Sequence, residues 1–244
     1  MITNPHHLKI IDSLNKADPN GPVSGLYMVH YCGSDKSGYN LNTAEHTKII
    51  NDFIKKNSLS KKEAIDFISS LFKNGQTYNE IIIGGSMVGK LLINDFDPDL
   101  LNIWLNYVHG WAETDVLCQS NFTPDILLSN WSAWKKNLTQ FTISKNVHKR
   151  RASLVLLCKP LRLSSDPRLF NMALNNTEKL KPETDILITK AISWILRSMV
   201  PFHRDSLTNY LNNNQATLPK IAYREAYTKL TTGRKYNRPQ KSKN

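Results

Sequence analysis

The chain has 244 residues, of which 40% are hydrophobic and 21% are charged, and these proportions are typical of a soluble globular protein. Ten glycines and eleven prolines are too few for a turn-rich β-sandwich or β-barrel, so the composition favours helices. Thirty-two Lys and Arg residues against 20 Asp and Glu residues give a formal net charge of +12, which favours a polyanionic partner, either nucleic acid or an anionic membrane surface.

The three cysteines, Cys32, Cys118 and Cys158, are far apart and form no C-x-x-C pair, which argues against a disulfide framework, a zinc ribbon and an iron–sulfur cluster. We expect them to be buried, reduced side chains in a cytoplasmic protein that uses no metal and no cofactor. No stretch approaches 18 apolar residues, so no membrane-spanning helix is expected. His6 and His7 have no partner at metal-ligand spacing and are predicted to lie in a frayed terminus.

Helical periodicity recurs along the chain. The first helix carries Ile49, Ile50 and Phe53 at helical spacing, with Asn42 or Thr43 as its cap, and a second helix opens in the segment Ser58-Leu59-Ser60. Further helices are predicted over residues 77–92, 97–108, 111–120, 124–140, 147–159, 167–174, 185–200, 203–213 and 218–230.

Short, turn-like connections separate these helices, which indicates an all-α fold, a HEAT-like α-solenoid of stacked antiparallel helix pairs. Residues 1–232 are expected to form a single domain. Residues 233–244 carry five basic side chains and no acidic ones, and are predicted to be a disordered basic tail.

The segment Gly84 to Lys90 fits most of a phosphate-binding Walker A loop. The residue after Lys90 is Leu91, which cannot hold magnesium, and no alternation of strands and helices surrounds the segment. We therefore expect the glycines to let two helices pack closely instead.

The segment from Gly110 to Asp115 combines an aromatic and an acidic residue. In a helix, Trp111 and Asp115 lie one turn apart on the same face. The alternative is that Trp111 fills the core and Asp115 is an exposed helix partner.

Two later segments combine basic and aromatic residues. Residues 145–151 place basic side chains at the start of a helix, where a bound phosphate would reconcile them with the helix dipole. In the second segment, Trp194 shares a helix face with Lys190 and Arg197, a combination that suits a nucleic-acid surface unless Trp194 is a core residue. A core stripe on the same helix consists of Ile192, Leu196 and Met199. These patterns alone indicate a nucleic-acid binder and no particular reaction.

At these residues the chain resembles the HEAT-like DNA alkylation repair glycosylases of the AlkD type, from about Tyr27 to the helix ending near Leu230. An early Tyr-Met pair of that family is matched by Tyr27-Met28, and a Trp followed four residues later by an Asp is matched by Trp111 and Asp115. The signature Lys-Ala-Ile-x-Trp-x-Leu-Arg is matched by Lys190 to Arg197, and an Arg before a small residue by Arg151.

The resemblance implies a monomeric DNA glycosylase of base excision repair that excises N3-methyladenine and N7-methylguanine from duplex DNA and has a concave basic face. It implies that Asp115 stabilises the cationic sugar of the transition state. The implied contacts to the cationic nucleotide come from Trp111, Trp194 and Tyr27. The implied phosphate contacts come from Lys149, Arg150, Arg151, Lys190 and Arg197.

Two alternatives remain, and departures from the family pattern motivate the first. The family commonly has Asp where this chain has Ala112, often has Trp in place of Gly110, and has Trp in place of His148. One alternative is therefore a catalytically inactive member that only binds nucleic acid. The other is a HEAT scaffold for acidic proteins, in which the tryptophans are core residues.

Overall fold

The computed structural model describes residues 2–94 and 96–236, and within them the chain folds into fourteen α-helices with no β-strand. The first seven helices are α1 (Pro5–Ala17), α2 (Tyr27–Tyr31), α3 (Thr43–Lys56), α4 (Lys61–Asn74), α5 (Tyr78–Leu91), α6 (Asp99–Trp104) and α7 (Gly110–Cys118). The other seven are α8 (Pro124–Ser129), α9 (Trp131–Thr142), α10 (Val147–Leu163), α11 (Pro167–Leu180), α12 (Ile186–Met199), α13 (Arg204–Asn214) and α14 (Lys220–Thr232). The predicted all-α fold is confirmed.

The chain divides into two compact units, Met1–Phe122 and Thr123–Asn244. In the first unit, α5 packs against its neighbour α4 and also against α3 and α7. In the second unit, α12 packs against α11 and α13 and also against α10 and α14. These two helices thus contact both a neighbour along the chain and the next helix but one, which is the packing pattern of stacked helix pairs.

Local sequence signals account for several helix starts. The side chains of three cap residues each accept a hydrogen bond from the main-chain N–H three residues later: Asn42, Ser60 and Thr77. In each case that later residue is a glutamate, and its carboxylate accepts a hydrogen bond from the main-chain N–H of the cap residue. Asn42, rather than Thr43, is thus the cap of α3. At the start of α1, the Asn4 side chain accepts from the main-chain nitrogens of His6 and His7, and Pro5 is the first helical residue, without a reciprocal glutamate.

The prediction of a frayed N-terminus was wrong. His7 lies in α1 and is fully buried, with its Nδ1 2.9 Å from the Ser70 hydroxyl and its Nε2 2.6 Å from a Glu80 carboxylate oxygen. These partners lie on α4 and α5, so α1 is attached to the core through buried polar contacts as well as through Ile10 and Leu14.

The Walker-like segment lies inside α5, so its backbone forms helix rather than a phosphate loop. A Cβ atom at Gly85 would lie 2.8 Å from Cγ1 of Val116 and 3.1 Å from the main-chain nitrogen of Leu117, both on α7. The prediction that these glycines allow close helix packing is therefore confirmed, because α5 and α7 approach at a distance that excludes a side chain.

Other predictions about the core and composition can be checked directly. The three cysteines are buried, as predicted. The α12 stripe is fully buried, as predicted, at Ile192, Leu196 and Met199. Over the two described stretches, no helix is long and apolar enough to cross a membrane. Within the basic tail, residues 237–244 lie outside the described residues.

Candidate functional site

Three aromatic side chains of the first unit form a connected surface, which we call the aromatic surface: Tyr27 and Tyr31 on α2, and Trp111 on α7. The rings of Tyr27 and Tyr31 stack with centroids 6.4 Å apart, and the ring of Tyr31 meets that of Trp111 edge-on at 6.0 Å. Tyr27 is 74% exposed and Tyr31 is 61% exposed. Exposed aromatic residues in contact with one another are unusual outside binding surfaces, because each leaves a large apolar area in water.

Main-chain carbonyls at the end of α2 hold Trp111 in place. Its indole Nε1 donates to the carbonyl of Tyr31 at 3.0 Å, and its main-chain nitrogen donates to the carbonyl of Cys32 at 3.1 Å. Gly110 begins α7 with a φ of +72°, and a Cβ there would collide with the carbonyl of Cys32. The departure from the family pattern at Gly110 therefore has a local steric reason.

Asp115 lies one turn after Trp111 on α7, and both residues are half-buried. The structure thus places this pair on a regular helix, as the spacing predicted. A carboxylate on a helix is held more rigidly than one on a loop, and its neighbour Trp111 is fixed by α2.

Sequence reasoning missed Glu113, which lies between these two residues and is fully buried. Its carboxylate accepts one hydrogen bond from the Ser34 hydroxyl at 2.5 Å and another from the main-chain nitrogen of His109 at 2.6 Å. Burial raises the pKa of Glu113 to about 7, although both hydrogen bonds and nearby Lys36 favour its charged form. A glutamate in the first turn of a helix is usually a solvated side chain that interacts favourably with the helix dipole. The local sequence around Glu113 therefore gave no indication that it is buried.

In the second unit, Trp194 lies half-buried on α12, and Lys190 is exposed one turn earlier. Arg197 is turned towards the contact between α12 and α14. Its Nε donates to the carbonyl of Ser193 at 3.1 Å and lies 3.5 Å from a carboxylate oxygen of buried Glu225. Burial lowers the pKa of Arg197, since it disfavours the charged guanidinium.

The basic residues of α10 make contacts within the protein. Arg150 forms a two-bond pair with Glu183, with Nε and Nη2 at 2.8 and 3.1 Å from the carboxylate oxygens. Arg151 is buried and donates to the carbonyl of Leu187, near the start of α12. Lys149 is half-buried, and burial lowers its pKa. Arg150 thus attaches α10 to the segment before α12, and Arg151 attaches it to the first turn of α12.

Tyr27, Trp111 and Asp115 therefore lie in the first unit, and the basic residues with Trp194 lie in the second. In the part of the chain that the structure describes, no three His, Cys, Asp or Glu side chains come together so as to hold a metal ion.

Comparison with known families gives one match. The model of the family described as DNA alkylation repair enzyme matches residues 22–230. The chain belongs to this family. The match covers every candidate residue named above, and it confirms the resemblance drawn from the sequence. Membership places the chain among enzymes that repair alkylation damage, with DNA as the substrate. No curated protein matches the chain.

Proposed function

We propose that this family member is a DNA glycosylase that releases N3-methyladenine and N7-methylguanine from duplex DNA by hydrolysing the N-glycosidic bond. The observation that carries the proposal is the position of Asp115 one helical turn from Trp111, which α2 holds beside two exposed tyrosines. In an alkylation repair enzyme, this arrangement offers a carboxylate and aromatic faces to a cationic nucleotide.

The reaction needs little from the protein besides charge stabilisation. Alkylation at N3 or N7 makes the purine cationic, so the electron pair of the bond to C1′ leaves with a base that becomes neutral. The sugar becomes oxocarbenium-like, and the Asp115 carboxylate stabilises that positive charge. Water then adds to C1′ and gives its proton to Asp115 or to solvent, which leaves an abasic site. No general acid is required, in keeping with the one carboxylate assigned.

The aromatic side chains act on the alkylated base, which carries the other positive charge. Tyr27 and Trp111 contact the cationic nucleotide through their negative π faces, and we add Tyr31 because it stands between them in the aromatic surface. For the second unit, Trp194 stays a proposed aromatic contact to the DNA. A neutral damaged base such as uracil has neither the charge for these contacts nor a comparable tendency to leave.

Backbone phosphates are assigned to the basic residues of the second unit. Lys190 is exposed, so its ammonium can reach a phosphate directly. Arg150 would have to exchange Glu183 for a phosphate, and Arg151 and Arg197 donate to main-chain carbonyls. We therefore assign the strongest phosphate contact to Lys190, with Lys149, Arg150, Arg151 and Arg197 contributing to the positive field around it.

The test is the release of methylated purines from methylated duplex DNA by the wild type, by Asp115→Asn and by a matched control, Asp66→Asn. Asp66 is an exposed carboxylate on α4 of the same unit. Release that Asp115→Asn abolishes and Asp66→Asn retains, with DNA binding unchanged, supports the proposal. Tight DNA binding without release by the wild type would instead identify a binding module, and cleavage of uracil-containing DNA would contradict the chemistry.

A further inference from the structure

The segment after α2 and the first turn of α7 are joined at closely spaced points. Their backbones touch, since a Cβ at Gly33 would lie 3.1 Å from the Cα of Gly110. The carbonyls of Tyr31 and Cys32 accept from Trp111 on one side of this junction. On the other side, Glu113 accepts from Ser34 and from the main chain of His109.

We propose that Glu113 is a positioning residue that fixes Trp111 and Asp115 for the proposed reaction by bonding the segment after α2 to the start of α7. The inference rests on the proposed function and adds a residue to it. Nothing in the family match points to Glu113, and its role follows from its contacts in this chain.

Helix geometry separates Glu113 from the reacting groups. It lies two residues from Trp111 and two from Asp115, and each step of two residues turns the helix by roughly 200°. The Glu113 side chain therefore points away from the face that Trp111 and Asp115 share, and it is fully buried while they are half-buried. It acts on them through the orientation of α7.

The carboxylate suits this junction because of its length and its hydrogen-bonding capacity. Its two oxygens accept from two donors that belong to different segments, the Ser34 hydroxyl and the His109 main-chain N–H. Alanine would leave the buried Ser34 hydroxyl and the partly buried His109 N–H without this acceptor, which is costly. Glutamine has the same length, and its amide can accept from His109 while donating to the Ser34 oxygen, so it preserves the junction.

The test compares Glu113→Ala, Glu113→Gln and Glu80→Ala with the wild type. Glu80→Ala is the matched control, because Glu80 is another buried carboxylate of the first unit, but bonds His7 and Thr77 instead of the α2–α7 junction. The readouts are the single-turnover rate of methylpurine release, the Kd for the same DNA, and the acrylamide quenching of Trp111. Because the chain has five tryptophans, the signal of Trp111 is isolated by subtracting the fluorescence of matched proteins that carry Trp111→Phe.

We expect Glu113→Ala to lower the release rate about 10- to 100-fold, as small misplacements of catalytic groups do, and to change Kd much less. Trp111 should become more accessible to acrylamide. Glu113→Gln should restore both readouts to near the wild-type values, and Glu80→Ala should leave the quenching of Trp111 unchanged despite a lower Tm. If Glu113→Ala fails to fold, Ser34→Ala removes the donor from the other side and should raise the quenching of Trp111.

Two results would overturn the inference. One is unchanged release and unchanged Trp111 quenching in a folded Glu113→Ala or Ser34→Ala protein. The other is an equal loss of release and an equal rise in quenching in Glu80→Ala, which would indicate general destabilisation. If the wild type releases no base, the proposed function fails on its own, and the quenching of Trp111 still decides whether Glu113 positions α7.

Discussion

Trp111 donates its indole N–H to the main-chain carbonyl of Tyr31 at 3.0 Å, and the ring of Tyr31 stands edge-on against the indole. The partner of the indole nitrogen is a backbone atom at the end of α2, so the position of Trp111 depends on α2 having its native conformation. The aromatic surface and the helix that carries Asp115 are thereby coupled, and mutations on either side of this contact should affect the proposed reaction.

Replacing Trp111 with Phe keeps an aromatic face and removes the N–H donor. A hydrogen bond of this kind contributes about 0.5–1.5 kcal/mol, so we expect methylpurine release to fall about 2- to 10-fold. Trp111→Ala, which removes the ring as well, should lower release further. Trp131→Phe is the control, because Trp131 is also half-buried but lies on α9, in the other unit from Trp111. Wild-type release by Trp111→Ala would remove Trp111 from the proposed site.

The stability of the protein should depend on pH through Glu113. Burial raises its pKa to about 7 from an ordinary value of 4.5, so the folded protein holds this proton more tightly than the unfolded chain does. The contribution of Glu113 to stability is therefore full below about pH 4.5, falls as the pH rises towards 7, and stays at its minimum above that. Between these two pH ranges, the contribution of Glu113 to the free energy of unfolding changes by an amount on the order of 3 kcal/mol, since each pKa unit corresponds to about 1.36 kcal/mol.

Glu113→Gln is neutral at every pH, so this dependence should disappear from the variant. Its Tm should exceed that of the wild type by an amount that grows between about pH 5 and about pH 8. His109, Asp35, Lys36 and Tyr78 are near the junction in both proteins, so their effects largely cancel in the difference. A Tm difference that does not change with pH would show that Glu113 titrates in the ordinary range.

The helix approach at Gly85 gives a prediction about stability. Alanine at Gly85 would place its Cβ 2.8 Å from Val116 and 3.1 Å from the backbone of Leu117, so α7 must move away. Overpacking of this kind costs about 1–3 kcal/mol, which outweighs a gain of about 1 kcal/mol in helix propensity. Gly84→Ala is the matched control, since its Cβ would meet side-chain atoms no closer than 3.3 Å.

Urea unfolding should therefore show a lower midpoint for Gly85→Ala and a midpoint near that of the wild type for Gly84→Ala. Since α7 carries Trp111 and Asp115, Gly85→Ala should also lower methylpurine release. Equal midpoints for the two variants would mean that α5 and α7 separate at little cost.

Removing the charge of Lys190 and removing that of Arg150 should have different effects on Tm and on the salt dependence of DNA binding. Lys190→Gln removes an exposed cation, so we expect an unchanged Tm and a slope of log K against log salt that is smaller by about 0.9, the value for one phosphate contact. Arg150→Gln leaves the half-buried Glu183 without its partner, so its Tm should fall. Lys62→Gln, an exposed position on α4, controls for net charge. A salt slope that Lys190→Gln and Lys62→Gln reduce equally would refute a specific phosphate contact at Lys190.

Much of the fold could be predicted because helices follow from local patterns. The stripe of Ile192, Leu196 and Met199 predicted the buried face of α12, and the glycines of α5 predicted a close helix approach. The prediction that His7 lies in a frayed terminus was wrong because its partners, Ser70 and Glu80, are 63 and 73 residues away along the chain. No local pattern can show that a polar residue near a terminus has a buried partner at that separation.

For the candidate site, the sequence by itself determined the family, the helical spacing of Trp111 and Asp115, and the surplus of positive charge. Each depends on residue type and on order along the chain. Only the tertiary structure decided that Tyr31 joins the aromatic surface, that Arg150 is paired with Glu183, and that Glu113 of α7 is buried and bonded to the segment after α2. The physical reason is that burial and hydrogen-bond partnership depend on which distant segments pack together, and for a charged residue that packing decides between a solvated side chain and a structural one.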